Sequence, residues 1–456
     1  MAFFLLKGER LVALLPKGCP PLMMLRHVLP VVALFPILAF AACGGSTDSP
    51  APAQPATGGA VDSGAPVVTT PVDAGSGGAD PIDPTYPSAH SAIPIVDFNG
   101  GTVLQHAHII TVTVDGDTMR TDLEKFGSVM TSTKWWDAVS AGYCDATGGC
   151  VGEGDSGAPV HLASTDFTTT VFTDSSQGGA ATLQDFITSM ISSGKFPVPT
   201  ADTLYAIYFP SESYTVNLDG STSCGQFGGY HNSYSYPGNV ATGGTVAAAT
   251  VQYALVPRCG DESTTTLAAS HEFIEAATDP HVGSGTAFYM KDQLWALEGG
   301  EVGDLCVTRD NSDEYQESGF IVQRSWSNTA AKASHDPCVP APAGDVYFNA
   351  APKTETINAK VGDTKTIDVT AFSDAPMSDW TISAADLNSQ FTGGDPVLTL
   401  ALDKTTVNNG TKVTLTVTVL SQPSADFGGA ALFSIHSKSG STSNRWPGAV
   451  IVSGAQ

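Results

Sequence analysis

The chain has 456 residues, with 45 acidic and 20 basic side chains and a formal net charge of −25. One hydrophobic core rarely grows beyond roughly 250–300 residues, so this length indicates more than one domain. A polyanion without a Lys/Arg-rich run is repelled by nucleic-acid phosphates, which argues against DNA and RNA as partners. The charged fraction of 14%, with 47 Gly and 29 Pro, disfavours long helices and coiled coils.

Residues 1–42 have the pattern of an export signal. Arg26 precedes an apolar run at 28–42 that is short and interrupted by proline, so it is a poor candidate for a membrane span. The run ends in Phe40-Ala-Ala-Cys43, which resembles the lipobox of bacterial lipoproteins, with Phe where Leu is usual. The resemblance implies a lipid on Cys43 and an outer-membrane or cell-surface location. An ordinary signal peptide with an incidental cysteine is the alternative.

Residues 43–90 are predicted to form a disordered linker. The segment consists mainly of Gly, Pro, Ala, Ser, Thr and Asp and contains no Lys or Arg. Such a composition buries too little apolar surface to offset the entropy lost on ordering. We expect this linker to hold a folded body away from the membrane.

Six cysteines follow, all within residues 91–340. An even number of cysteines in an exported chain predicts three disulfides. Pairing in neighbour order gives Cys144–Cys150, Cys224–Cys259 and Cys306–Cys338, although the sequence alone permits other pairings. A cysteine-based zinc site is the rival interpretation, and no CxxC spacing supports it.

The hydrophobic patterns predict an α+β protein with two folded regions. In residues 91–340, strand signals alternate with helix signals: strands at 108–115, 203–210 and 247–257, helices at 122–130 and 183–192. From residue 341 the pattern changes to short, near-regularly spaced strands separated by Gly, Asn and Ser turns. This spacing predicts an immunoglobulin-like β-sandwich at 341–456. No residue there suggests chemistry, and polysaccharide binding is a weaker alternative for its role.

The residues that suggest chemistry are concentrated in a predicted helix at 263–279. The helix begins with hydroxyl N-cap candidates and ends before Pro280. His271 and Glu275 are four positions apart and therefore project from one face, with Glu272 beside them. This HExxE arrangement is the zincin HExxH with Glu replacing the second His. Zinc accepts both imidazole nitrogen and carboxylate oxygen, and a neighbouring carboxylate can serve as general base.

A third metal ligand is expected further along the chain. Zincins of the gluzincin type take it from a later Glu, and Glu301 in the segment GGEVGDLC (299–306) suits that role. We expect Asp304 to orient His271 by a hydrogen bond. Glu298 is a weaker substitute for Glu301.

His281 is the alternative third ligand. It lies ten residues after His271, which is the offset used in metzincins. Those enzymes have Gly at the position of Thr278, where the chain turns back, and this chain continues into Pro280. We therefore favour Glu301 over His281.

Four sequence blocks together resemble bacterial relatives of the EXORDIUM, or phosphate-induced, proteins. The blocks are SCGQFGGYHN (223–232), YALVPRC (253–259), SHEFIEAATDP (270–280) and GGEVGDLC (299–306). The resemblance spans most of residues 100–310 and implies that His271, Glu275 and Glu301 lie together. Plant members, linked to cell walls and growth, lack the HExxE residues, whereas bacterial members that carry them look like zincins. His231 is in one block and could line the same cleft, although a core or loop histidine is more usual.

The sequence therefore predicts a zincin-like α/β domain at 91–340 that acts as a zinc metallopeptidase on a peptide or cell-wall substrate. In this hypothesis His271, Glu275 and Glu301 bind Zn²⁺ and Glu272 deprotonates the attacking water. The alternative is a non-catalytic surface-interaction protein of the EXORDIUM type. In that case the His–Glu cluster is structural, or binds a metal only to stiffen the fold.

Two further patterns look like functional motifs. Residues 154–159 (GDSGAP) imitate the nucleophile loop of trypsin-like proteases, but no matching histidine context precedes them, so a Gly-rich turn is the preferred interpretation. His106 and His108 form an HxH pair on a predicted strand. Such a pair can bind metal, but without a third partner it is more often structural.

Overall fold

A computed structural model describes residues 85–175, 181–241, 244–282, 285–297, 299–307 and 314–453. The predicted signal at 1–42, Cys43, most of the predicted linker and Glu298 lie outside these residues. Within the described part, no helix is both long enough and apolar enough to cross a membrane. The architecture is α+β and consists mostly of β-sheet.

The elements occur in two groups along the chain. The first group is β1 (Asp97–Phe98), β2 (His108–Val114), α1 (Arg120–Val129), α2 (Lys134–Ser140), β3 (Asp155–Ser156), β4 (Val160–Leu162), β5 (Val171–Asp174), α3 (Thr182–Ser192), β6 (Thr203–Tyr208), β7 (Thr215–Leu218), β8 (Ser221–Thr222), β9 (Tyr230–Tyr236), β10 (Asn239–Ala241), β11 (Gly244–Val246), β12 (Ala249–Val256), α4 (Glu262–Thr278), β13 (Phe288–Tyr289), α5 (Asp304–Val307), β14 (Glu314–Glu317), β15 (Phe320–Gln323), β16 (Ser325–Trp326), α6 (Asn328–Lys332) and β17 (Cys338–Val339). The second is β18 (Phe348–Pro352), β19 (Thr356–Ala359), β20 (Thr364–Ser373), β21 (Trp380–Asp386), α7 (Leu387–Thr392), β22 (Leu398–Leu402), β23 (Thr406–Val407), β24 (Lys412–Val419), β25 (Ala430–Ser439) and β26 (Thr442–Val452). The strands and helices predicted from the hydrophobic patterns are present, with ends shifted by a few residues.

The main sheet of the first group has the strand order β3-β2-β6-β12-β9, and β4 also pairs with β2. The central strands run parallel, whereas β9 is antiparallel to β12 and forms an edge. Parallel strands are covered on both faces, which explains the continuous apolar runs in the sequence. Helices α1 and α4 cover one face, where Phe126 and Phe273 lie 5.7 Å apart. Helix α3 covers the other face through Leu183 and Ile187.

The second group forms two sheets around a shared core. Their strand orders are β18-β20-β24-β22 and β19-β26-β25-β21-β23. Along β24 the residues alternate between buried and more exposed, with Val413, Leu415 and Val417 pointing into the core. This period of two is what one buried sheet face requires.

The two groups of elements share apolar contacts. The ring of Trp295 lies 5.2 Å from that of Trp446 on β26, and Trp446 belongs to the same buried cluster as Phe273. The chain before β1 also contacts the second group, since Ser88 donates its amide to Asn409 and the ring of His90 stacks on Phe372. Ordered contacts therefore begin inside the stretch predicted as linker, and the described residues all belong to one compact unit.

Three disulfides are present, and they are the neighbour-order pairs: Cys144–Cys150, Cys224–Cys259 and Cys306–Cys338. The third joins α5 to β17. It therefore ties the segment that carries Glu301 and Asp304 to the rest of the fold.

One close approach between a helix and the main sheet requires glycine. A Cβ atom on Gly127 of α1 would lie 2.0 Å from the Thr111 hydroxyl oxygen on β2. We therefore predict that Gly127→Ala lowers the free energy of unfolding by about 1–3 kcal/mol, because α1 must move off the sheet. Ser128→Ala, on the exposed side of the same helix, is the control and should change it by less than about 0.5 kcal/mol. Chemical denaturation measures both, and equal stability of the two variants would contradict the packing described.

Candidate metal centre

Helix α4 carries the HExxE residues and is buried along most of its length. It begins at an Asp261 cap, whose carboxylate accepts from the Thr264 amide at 3.0 Å, rather than at the hydroxyl residues expected from the sequence. It ends at Thr278, as Pro280 predicts. His271 and Glu275 occupy the same face, and the distance from His271 Nε2 to Glu275 Oε2 is 3.1 Å.

A second histidine reaches the cluster from the edge strand β9. His231 pairs with Ala254 of β12, and α4 packs over both strands. Its Nδ1 lies 3.4 Å from Glu272 Oε2 and 3.7 Å from Glu275 Oε2. Its Nε2 lies 3.4 Å from Glu301 Oε1. The imidazole of His231 is therefore surrounded by three carboxylates.

The segment 299–304 wraps around Glu275 from the other side. The backbone amides of Gly303 and Asp304 both donate to Glu275 Oε1, at 3.0 and 3.1 Å. Glycine at 303 permits this approach, because a Cβ there would lie 2.6 Å from His271 Nδ1. One oxygen of Glu275 is thus held by amides, and the other faces the two imidazoles.

His271 is oriented by Gln323, a residue that sequence reasoning did not identify. The Gln323 side-chain nitrogen donates to the Gly303 carbonyl at 2.8 Å, so its oxygen accepts from His271 Nδ1 at 3.0 Å. With its proton on Nδ1, His271 directs Nε2 towards Glu275. Asp304 was expected to orient His271; instead its Oδ1 lies 3.8 Å from Nε2, too far for a hydrogen bond and on the ligand side of the ring.

The cluster concentrates negative charge where water is excluded. Both imidazoles and all the nearby carboxylates are buried: His231, His271, Glu272, Glu275, Asp279, Glu301 and Asp304. Burial disfavours a charged imidazole, but the carboxylates of Glu275 and Glu272 outweigh that effect and raise the pKa of His271 to about 10. Burial, reinforced by Glu275, raises the pKa of Asp304 well above its usual value. Burial also raises the pKa of Glu272. Without another cation, protons must supply the missing positive charge.

The donor set fits a divalent cation. Two groups of three side chains each offer ligand atoms within 4.8 Å of one another: His271, Glu275 and Asp304, and His231, Glu272 and Glu275. Within the described residues, Glu272 Oε1 and Asp304 Oδ1 are buried without a hydrogen-bond partner. Buried carboxylate oxygens normally have partners, and nitrogen with oxygen donors is the chemistry that zinc accepts.

Glu301 and His281 are the two residues that the sequence offers as the third metal ligand. Glu301 contacts the cluster through His231, and its amide donates to Asp304 Oδ2 at 3.2 Å. His281 is half-buried, and its Nδ1 lies 3.4 Å from the Ser233 hydroxyl oxygen. His281 thus makes this polar contact with β9 rather than with a carboxylate of the cluster.

Sequence reasoning weighted His231 too low and missed Gln323. The only local signal for His231 is its place in the GGYHN block at the start of a strand, which gives no indication of the carboxylates it meets. Gln323 ends β15, and β15 packs along α4, so only the tertiary fold brings it to His271.

Comparisons with known proteins do not identify the chain. No protein-family description and no curated protein matches it. Among solved structures, similar chains include a conjugative transposon lipoprotein from Bacteroides eggerthii (15% identity, TM-score 0.17), titin M10 with obscurin-like 1 Ig (10%, 0.15) and titin M4 (6%, 0.15). Each match covers 23–24% of this chain and 95% of the other. Scores this low carry no conclusion about fold or function.

The orientation of His271 by Gln323 gives a testable prediction. Gln323→Leu keeps the side-chain size but removes the acceptor for Nδ1, so zinc affinity should fall about 10- to 100-fold. Gln252→Leu removes a buried glutamine of β12, outside the cluster, and serves as the control. Competition with a zinc chelator measures both affinities. Unchanged affinity in Gln323→Leu, with the control also unchanged, would show that the amide does not position His271 for metal binding.

Proposed function

We propose that this protein is an exported, surface-anchored, zinc-dependent hydrolase of the metallopeptidase type, related to the bacterial EXORDIUM-like proteins. The observation that carries the proposal is the HExxE face of α4, which meets buried carboxylate oxygens that have no hydrogen-bond partner in the described part of the chain. Uncompensated carboxylates are costly to bury, and a divalent cation offsets that cost.

His271 and Glu275 would hold the ion, and the separation of their ligand atoms supports this. The ligand atoms of His271, Glu275 and Asp304 lie within 4.8 Å of one another, which makes Asp304 a candidate third ligand. Glu301 remains the third ligand that the sequence favours. Bound Zn²⁺ would lower the pKa of a water and polarise a carbonyl. His231 lies between the helix and Glu301 and would stabilise negative charge there.

Glu272 is the proposed general base. It follows His271 directly, and one of its carboxylate oxygens has no hydrogen-bond partner among the described residues. Gly229 leaves room for it, because a Cβ at that position would lie 2.9 Å from Glu272 Oε1. A carboxylate whose pKa is raised by burial is a stronger base than one in water, which suits proton abstraction near neutral pH.

A second candidate function is a non-catalytic surface protein in which the ion only stiffens the fold. The burial of every cluster side chain favours this alternative, because a substrate must reach the carboxylate of Glu272. Hydrolysis would therefore require the covering structure to move. The two candidates share the ion and differ only in whether Glu272 acts on a substrate.

The location and architecture belong to the same proposal. Three disulfides suit an oxidising compartment, and the lipobox-like Cys43 would attach the chain to a membrane. We assign a zincin-like architecture to the region around the main sheet and an immunoglobulin-like one to the paired sheets at 348–452. Peptides or cell-wall material are the proposed substrates.

Glu272→Gln separates the two functions. The substitution removes the base but keeps the side-chain volume, so hydrolysis of a casein or quenched-fluorescent peptide substrate should fall at least about 100-fold, with zinc content unchanged. Glu262→Gln, at the start of the same helix, is the matched control and should retain activity. If wild type and Glu272→Gln bind zinc equally and neither hydrolyses any peptide, the hydrolase proposal fails and the structural ion remains.

The zinc itself is tested separately. Purified protein should contain about one equivalent of zinc at the centre, and His271→Ala or Glu275→Ala should remove it. Glu301→Ala and Asp304→Ala distinguish the third ligand, because the true ligand lowers affinity more. If the wild type contains less than about half an equivalent of zinc, and Glu301→Ala contains the same amount, the proposed metal centre is contradicted.

A further inference from the structure

Both patterns that the hydrolase proposal leaves unused meet in one open pocket of the main sheet. The pocket is lined by His106, His108, Glu153, Gly154, Asp155, Thr200 and Asp202. Strand pairing explains the meeting: β2 lies between β3 and β6, so His108 is opposite both Asp155 and Thr203. The GDSG segment and the HxH pair are thus neighbours at the amino-terminal ends of three parallel strands, with His106 in the turn before β2 rather than on the predicted strand.

The two imidazoles of the pocket are held in the same way. His106 Nδ1 lies 3.0 Å from the Glu153 carbonyl oxygen, and His108 Nδ1 hydrogen-bonds to Asp155 Oδ1. Each oxygen accepts, so each ring donates from Nδ1, and in a neutral imidazole the lone pair is then on Nε2. Histidines that bind metals show this arrangement, with one nitrogen donating to a carbonyl or carboxylate and the other free for the ion.

We propose that His106 and His108 bind a divalent transition-metal ion through their Nε2 atoms at a second, surface site. Asp202 lines the same pocket and adds a negative charge beside the two imidazoles. Imidazole donors select Zn²⁺, Ni²⁺ or Cu²⁺ over Mg²⁺ and Ca²⁺, which prefer oxygen. The site is open, since His106 is exposed and the side chain of Asp155 is 75% exposed.

This site is separate from the buried centre. Side chains alternate along β2, so His108 shares a face with Ile110 and Val112, which belong to the core under α3. Ile109 points to the opposite face of the sheet, which is the face that helix α4 covers. The edge strand that carries His231 is three strands away from β2, which is roughly 14 Å at normal strand spacing. An ion bound at His106 and His108 therefore cannot belong to the α4 cluster.

Retention on a Ni²⁺-chelate resin tests the surface site, because a resin-bound ion cannot reach the buried cluster. The purified full chain should be retained, and the double variant His106→Gln/His108→Gln should pass through. His161→Gln removes an exposed histidine of β4 outside the pocket and should behave as wild type. In equilibrium dialysis against Zn²⁺, the double variant should bind about one equivalent less than wild type.

Two further variants make the result specific. Asp155→Ala removes the oxygen that fixes His108 and should weaken Zn²⁺ binding at this site about 10- to 100-fold. His271→Ala should lose the buried ion but stay on the resin, so failure of the hydrolase proposal leaves this one testable. Equal retention and equal zinc content in wild type and the double variant would overturn the surface site.

Discussion

The structure depends on one electrostatic constraint, which is the burial of five carboxylates and two imidazoles against a single helix and its neighbouring strand. A buried carboxylate costs several kcal/mol unless a partner neutralises it. Backbone amides hold one oxygen of Glu275, and His231 lies among Glu272, Glu275 and Glu301. These contacts do not balance the charge, which is why the pKa of His271 rises to about 10. A divalent cation is the simplest way to meet the same demand.

Several elements of the fold bring these side chains together. The antiparallel edge strand β9 presents His231 beside α4, and β15 brings Gln323 to the far side of His271. The segment that holds Glu275 is fixed by the Trp326 amide, which donates to the Val302 carbonyl at 2.8 Å, and by the nearby disulfide at Cys306. Contacts within and around the centre therefore reinforce one another, and removing one partner leaves others buried without compensation.

Features that depend on residues close together in the sequence could be predicted, whereas contacts between residues far apart in the sequence could not. The spacing of His271 and Glu275 follows from helical geometry, and Pro280 marks the end of α4 because it excludes helical backbone before it. The apolar strands of both regions follow from their periodicity. The role of Gln323 and the central place of His231 depend on how strands pack on α4, which no local pattern encodes. The Asp261 cap was missed because several hydroxyl residues compete with it along the same stretch.

The most direct test is X-ray diffraction on crystals of the zinc-loaded protein, recorded on both sides of the zinc absorption edge. A zinc ion bound at the proposed centre should give an anomalous difference peak at about 2.0–2.2 Å from both the Nε2 atom of His271 and the outward oxygen of Glu275. The absence of any peak there, with the imidazoles and carboxylates bonded only to one another, would mean that protons alone balance the buried charge. The metal centre would then be refuted.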